Sequence, residues 1–355
     1  MHVADRLAAR TLELVDIPSE SLFEDAIRAH VRGLAAAALP PVFAGEDAFL
    51  FAGGRRPDLP LVVLAGHYDT VPAQGNVPGR VARGAVHGCG ASDMKGGLAV
   101  ALELVRDLAT APPGAADVAL LVFGKEELPP QHNPLPELFD GCPLVHEAGL
   151  VILLEPTDGQ VQAGCNGHMS ARLTFRGVSG HSARPWLADN AIERALAGLA
   201  PIAAVEQRDV VAGGLVFHEV LSVTRLEAGI ADNVIPDRAV ATLSFRYAPD
   251  RTPAEAEAHL RALAADGGAE LEVTGDSPPG AVVADEPLVQ SLLAAGANGL
   301  EPKQAWTNVA DFTARGIDAV NFGPGHTRYA HTRDELVEID ALVHAYETLR
   351  RFLDG

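Results

Sequence analysis

Three apolar runs in the chain are each followed by histidine or carboxylate residues, and each of these residues has an ordinary reading beside a chemical one. Gly66-His67-Tyr68-Asp69-Thr70-Val71-Pro72 follows the run at 61–65. In an extended segment the i, i+2 spacing puts His67 and Asp69 on one face, where a carboxylate can orient the imidazole of a metal-bound histidine. A surface loop would serve equally well for this segment alone. Gly90-Ala91-Ser92-Asp93-Met94-Lys95-Gly96-Gly97 leads into a helical pattern. Asp93 can cap that helix, the commoner use of an isolated aspartate, or bridge two cations. The spacing of a phosphate-binding loop is absent. Glu126-Glu127 follows the run at 117–123. Adjacent carboxylates repel unless a positive charge is near, and they can divide the work, one ligating metal and one moving protons. Alone they read as a solvated pair. Glu155 ends the run at 150–154, where Pro156 stops the sheet and leaves it at the rim. Finally, Asn321-Phe322-Gly323-Pro324-Gly325-His326 leads to Ala330-His331-Thr332. A neutral imidazole there completes a nitrogen and oxygen set suited to Zn²⁺, with His331 and His326 as rivals. The coincidence of position outweighs the ordinary reading of each.

The elements that must carry these residues can be read from hydrophobic patterning. The runs at 61–65, 117–123 and 150–154 read as strands buried on both faces, as in a parallel sheet covered by helices. Helical spacing at 96–108 between them makes an α/β unit, in which ligands bind beyond the carboxyl ends of the strands. From about Met169 the pattern changes to alternation. A helix at 189–205, strands near 215–225 and 234–247, a helix at 253–265 and a strand at 269–274 follow. That β-α-β-β-α-β order suggests one antiparallel sheet with two helices. Asp-Ser-Pro-Pro-Gly at 276–280 marks a boundary. Beyond it come a helix, a strand at 319–322, a Gly-rich loop and a last helix. The expected organisation is a first part at 1–167, an insertion at 168–276, and the remainder at 277–355.

Composition narrows the function classes. With 355 residues, two domains are expected. Lys plus Arg number 27 against 47 Asp plus Glu, a net charge of −20, which argues against nucleic acid and anionic membrane surfaces as partners. The three cysteines, Cys89, Cys142 and Cys165, are too few and too scattered for a disulfide framework. The first sixteen positions mix charged residues with apolar ones at helical spacing, unlike a signal peptide, and no apolar run is long enough to span a membrane. A cytoplasmic protein is expected.

Taken together, these segments resemble the dinuclear zinc deacylase and exopeptidase family that includes acetylornithine deacetylase and aminoacylases, and within it the actinobacterial desuccinylase branch. The likeness runs from about Leu61 to Glu335. It comprises Gly-His-x-Asp-Thr-Val-Pro, Asp-Met-Lys-Gly-Gly, Glu-Glu, Leu-Glu-Pro-Thr-Asp-Gly, Gly-His-Ser-Ala-Arg, Asn-Val-Ile-Pro, and Gly-Pro-Gly followed by Ala-His-Thr-Arg-Asp-Glu. The resemblance implies a zinc-peptidase-like α/β catalytic domain with a mixed, largely parallel sheet. It also implies an inserted α+β, ferredoxin-like domain for dimerisation and as a lid.

Carried over to this chain, the family pattern implies that His67 and Glu155 hold one zinc and Glu127 and His331 the other, with Asp93 bridging. Asp69 would orient His67, Glu126 would be the general base, and the Asp93–Met94 peptide would be cis. His181, in Val178-Ser179-Gly180-His181-Ser182-Ala183, would reach the partner subunit's active site and steady the oxyanion, which implies a homodimer. Arg246 and Asn233 match substrate-binding positions, and a guanidinium fork suits a dicarboxylic acyl group or an amino-acid end. Two divalent ions, Zn²⁺ first and Co²⁺ as the alternative, would neutralise the carboxylates and lower the pKa of a water.

The expected activity is removal of an N-acyl group, succinyl first, from diaminopimelate or a related small amino-acid substrate. Aminoacylase, acetylornithine-type deacetylase and carboxypeptidase activities are the alternatives, and an inactive ligand-binding relative is the alternative of another class. Three departures bear on specificity. Cys165-Asn166-Gly167-His168 stands where desuccinylases commonly carry an arginine, Lys125 stands where acidic or small polar residues are usual, and Cys89-Gly90-Ala91-Ser92 is atypical.

Overall fold

The computed structural model describes residues 2–355, and the chain divides into two compact units. The first holds Met1–Ala163, Val283–Glu301 and Asp311–Gly355; the second holds Gly164–Val282 and Pro302–Ala310. No described helix is long and apolar enough to cross a membrane.

The first unit is built on a mixed sheet whose centre is parallel. Leu61–His67 is flanked on one side by Asp117–Phe123 and on the other by Ala148–Leu153, both parallel to it, and Ala319–Asn321 continues parallel beyond Ala148–Leu153. On the other side Ala48–Ala52 pairs antiparallel with Asp117–Phe123, and Pro41–Ala44 forms the edge beyond it. All seven residues of Leu61–His67 are buried, which explains a continuous rather than alternating apolar run. Parallel strands end at the same edge, and the register sets His67 opposite Phe123 and Ala65 opposite Leu153. The residues that follow each strand therefore emerge together.

Helix Gly96–Leu108 is buried along nearly its whole length. Helix Val3–Asp16 turns Leu7, Thr11, Leu14 and Val15 inward, and helix Ile339–Asp354 turns Leu342, Ala345, Leu349 and Leu353 inward. That spacing is the stripe of an amphipathic helix on a core. Arg6, Asp107 and Tyr346, one from each of these three helices, meet in a polar clamp: Arg6 donates twice to Asp107, at 3.0 and 2.6 Å, and the Tyr346 hydroxyl donates at 2.6 Å.

The second unit is a five-stranded antiparallel sheet in the order Arg208–Ala212, Leu215–Ala228, Arg238–Tyr247, Gly167–Arg176, Glu270–Ser277. Helices Ala191–Ala203 and Pro253–Asp266 cover one face, where Met169, Leu173, Phe175, Leu243 and Phe245 meet Ala195, Leu199 and Leu260. The alternation from Met169 onward is the buried and solvent faces of one strand. A reciprocal capping box, Thr252 with Glu255, starts the second helix with Pro253 at its first position.

Two details differ from the sequence reading. A fifth strand joins through the two-residue hairpin Gly213-Gly214, both at positive φ, which a run of mixed polarity at 208–212 does not announce. The strand expected at 234–247 is broken. Val234–Ile235 pairs with Gly180–His181, and Arg238–Tyr247 is separate, because Pro236 has no amide to continue a ladder.

Candidate metal centre

Beyond the carboxyl edge of the parallel strands, the first unit gathers His67, Asp93, Glu126, Glu127, Glu155 and His331. His67, at the end of its strand, is fully buried. Its Nδ1 lies 3.1 Å from the Asp69 carbonyl oxygen and 3.5 Å from Asp69 Oδ1. Its Nε2 makes no hydrogen bond and lies 3.4 Å from Asp93 Oδ1 and 3.8 Å from Glu155 Oε1. Both neighbours of Nδ1 are acceptors, so in the neutral ring Nδ1 carries the proton and Nε2 turns a lone pair toward two carboxylates. A divalent cation at that point satisfies all three groups, and the residues present fit one.

The donors form two overlapping groups. Ligand atoms of His67, Asp93 and Glu155 lie within 4.8 Å of one another, and so do those of Asp93, Glu127 and His331. Asp93 is common to both. His331 Nε2 lies 2.9 Å from Glu127 Oε1 and 3.6 Å from Asp93 Oδ2. His326, the rival, joins neither group; its Nδ1 accepts from the Arg328 amide. Glu126 stands with His67 and Glu127 in a third such group. The Asp93–Met94 peptide is cis.

The electrostatics are those of crowded carboxylates. Burial disfavours the His67 imidazolium, but Asp69 and Asp93, with the charge of Glu126, outweigh it and hold its pKa well above the histidine range. The hydrogen bond to Glu127 raises His331 to about 9. Burial pushes the Glu126 carboxyl well up, and Glu155, Glu127 and Asp93 add to this against the pull of His67. A cluster that attracts protons this strongly is one that divalent cations would discharge.

Local structure explains the placement. Gly97 and Gly323 pinch the chain at Leu154-Glu155: a Cβ on Gly97 would sit 2.0 Å from the Leu154 carbonyl oxygen, and one on Gly323 2.5 Å from that oxygen and 2.6 Å from the Glu155 carbonyl oxygen. Only glycine permits that approach from both sides. Asp69 does more than face His67. Its Oδ1 accepts the Glu126 amide at 3.1 Å, and its Oδ2 accepts the Glu127 amide at 3.2 Å and the Ser21 hydroxyl at 2.7 Å. Burial alone would raise Asp69, but His67, Ser21 and the Glu126 amide more than offset it and lower its pKa.

Two contributors were missed by sequence reasoning. Ser21 carries no motif. Glu335, buried, accepts from the amides of Gly90 at 2.9 Å and of Ser92 and Asp93 at 3.0 Å each. Its signal was its place at the end of the Ala-His-Thr-Arg-Asp-Glu run.

The other three expected residues lie in the second unit. His181 is exposed, at the end of the short strand opposite Val234, and the Ser182 amide donates to the Asn233 carbonyl at 3.0 Å. The Gly-His-Ser-Ala and Asn-Val-Ile-Pro motifs thus form one ribbon. Arg246 sits half-buried on its strand between Val220 and His168. Burial lowers its pKa, and no described carboxylate pairs with it. Burial, with Arg246 alongside, also brings His168 down to about 4. Asn166 is fully buried, and its amide group donates to the carbonyls of His218 at 2.9 Å and Gln304 at 3.2 Å, so it pins backbone inside this unit.

Comparison with known proteins bears on these features. The model of peptidase family M20/M25/M40 matches residues 63–355. A succinyl-diaminopimelate desuccinylase of Corynebacterium glutamicum is 38% identical over 356 residues, covering 97% of this chain and 95% of that protein. A Mycobacterium tuberculosis protein bearing the same name provisionally is 39% identical over 350 residues, 97% of each chain. Among solved structures, the M20 family metallo-carboxypeptidase Sso-CP2 of Sulfolobus solfataricus matches with a TM-score of 0.81 at 18% identity, over 100% of this chain and 99% of that one. Aminopeptidase PepT of Bacillus cereus matches at 0.80 and 18%, over 99% and 98%. These two share the fold. The family match spans most of the chain and includes every residue of the donor cluster, so the chain belongs to peptidase family M20/M25/M40.

Proposed function

We propose that the chain is a dinuclear-metal amidohydrolase that removes the succinyl group from N-succinyl-LL-diaminopimelate, releasing succinate and the free amino acid. One arrangement carries this: Asp93 stands in both donor groups, so a single carboxylate can serve two cations. The Corynebacterium relative, matched over nearly its full length, supports the choice of acyl group and amine.

His67 and Glu155 would hold one ion and Glu127 and His331 the other, with Asp93 in reach of both, Zn²⁺ being the first choice and Co²⁺ the alternative. When bound, the ions neutralise the carboxylates, polarise the amide carbonyl and make water more acidic. Glu126 takes the proton of the attacking water on its carboxylate and delivers it to the leaving nitrogen. Asp69 keeps the His67 proton on Nδ1 and holds the two glutamate amides. In a homodimer His181 donates to the developing oxyanion. Arg246, with no described carboxylate partner, and Asn233, on the separate ribbon with His181, bind substrate carboxylates. Residues 168–276 serve as dimerisation and lid domain between catalytic segments 1–167 and 277–355, and the protein works in the cytoplasm.

The test is a substrate panel run with chelator-treated protein before and after Zn²⁺ or Co²⁺ is restored. Turnover is expected only with metal, and with N-succinyl-LL-diaminopimelate ahead of acetylornithine, other N-acyl amino acids and dipeptides. A higher kcat/KM for any of these overturns the substrate assignment; turnover by verified metal-free protein overturns the mechanism.

A further inference from the structure

The turn Gly124-Lys125-Glu126-Glu127 carries two glutamates of the centre, and all four of its amides have an acceptor. Gly124 donates to the Asp47 carbonyl at 2.9 Å, and Lys125 to Glu24 Oε1 at 3.2 Å. Glu126 and Glu127 donate to the two oxygens of Asp69. Three of the four accepting oxygens belong to two carboxylates, Glu24 and Asp69; these two and Asp47 are 3%, 0% and 3% exposed. The back of the turn thus rests on buried negative charge.

Two cations reach Asp47 there. The Arg28 guanidinium donates to its Oδ1 at 2.8 Å, and Lys125 Nζ, from within the turn, donates to its Oδ2 at 2.6 Å. Lys125 also has φ +61°, the left-handed region that favours glycine. A side chain persists there only when its surroundings hold it. Here they do so at both ends, the amide through Glu24 and the ammonium through Asp47. An exposed ion pair would contribute little, but the Asp47 side chain is only 4% exposed.

We propose that Lys125 is a positioning residue: its ammonium neutralises buried Asp47 and so holds the left-handed step that aims Glu126 and Glu127 into the donor cluster. This rests on Glu126 acting as base and Glu127 as ligand. It also accounts for a lysine where the resemblance leads one to expect an acidic or small polar residue.

Lys125→Met keeps the aliphatic stem and removes the charge. Its kcat is expected to fall at least ~10-fold with KM within about two-fold, and Zn²⁺ titrated into metal-free protein against a chromophoric chelator should bind ~10-fold more weakly at one site. Lys125→Arg should recover most of both losses. Lys125→Gly, which takes the left-handed step without strain, should lose less than Lys125→Met in both readouts, and Lys125→Gln stands in should Lys125→Met fail to fold. The double variant Lys125→Met with Asp47→Asn should be no worse than Lys125→Met alone, because the ammonium acts through Asp47. Wild-type kcat and zinc affinity in Lys125→Met, losses in Lys125→Gly as large as those in Lys125→Met, or additive losses in the double variant would overturn the proposal. Turnover retained by Glu126→Gln would instead remove the assignment beneath it, and the zinc titration, which needs no turnover, separates the two failures.

Discussion

The Asp93 amide donates to Glu335 Oε1 at 3.0 Å, so the residue shared by both donor groups takes its backbone position from the segment that carries His331. Glu335 accepts the Gly90 and Ser92 amides as well, which makes one buried carboxylate the anchor of the whole Asp93 loop. Glu335→Gln keeps the volume but turns an amide group toward amide donors. Zinc affinity is expected to fall ~10–100-fold, with kcat falling in parallel, as read by titration into metal-free protein and by turnover. Unchanged affinity would make Glu335 a bystander.

Glu126→Gln leaves the backbone bond to Asp69 in place and removes only the proton acceptor. Turnover should drop ~10³-fold, within the usual range for a general base. Bound metal, measured by atomic emission after dialysis, should stay at the wild-type level. A rate within ten-fold of wild type would remove Glu126 from its role.

Two helical glycines should respond in opposite directions to alanine. Gly97→Ala puts a methyl 2.0 Å from the Leu154 carbonyl oxygen, against backbone that cannot yield cheaply. A loss of ~2–3 kcal/mol is expected, with weaker zinc binding because Glu155 follows directly. Gly33, exposed on helix Asp25–Ala38, has nothing within 4 Å of an added methyl, so Gly33→Ala should stabilise by ~0.5–1 kcal/mol. Urea unfolding of both variants checks the contrast.

Asp107 provides a pH signature far from the metal cluster. Burial raises its pKa, but bonds from Arg6, Tyr346 and Arg106 outweigh this and hold it at about 2. A carboxyl depressed in the folded state contributes stability above its unfolded pKa of roughly 3.9 and loses that contribution as pH falls through the folded value. Its side chain is 25% exposed, and Asp107→Asn is expected to cost ~1–2 kcal/mol at pH 7. The difference from wild type should be flat from pH 7 to 5 and shrink below about pH 4. A difference that holds constant down to pH 3 would show that the clamp does not depend on the Asp107 charge.

How much was legible in advance differs from residue to residue. His67, Glu126, Glu127 and Glu155 could be placed at one edge because each follows an apolar strand, and parallel strands end together. Asp93 was recognisable by its glycine-rich approach to a helix, where spacing alone left capping and bridging alike and only the resemblance implied the bridge; its membership of both donor groups appears in the fold. For Asp69 the neighbour two residues away was readable, whereas its bonds to the Glu126 and Glu127 amides were not.

Sequence by itself therefore determined which residues could do the chemistry, the strand and helix pattern that carries them, and the family resemblance, because periodicity and short spacings are local properties of the chain. Tertiary structure supplied what spacing alone left open, with His331 rather than His326 in the donor cluster and Asp93 in both groups as the resemblance implied, and it alone brought Ser21 to Asp69, Asp47 to Lys125 and Glu335 to the Asp93 loop. Those relationships join segments as far apart as 245 residues, and a hydrogen bond or ligand contact across such a distance exists only once the intervening chain has closed.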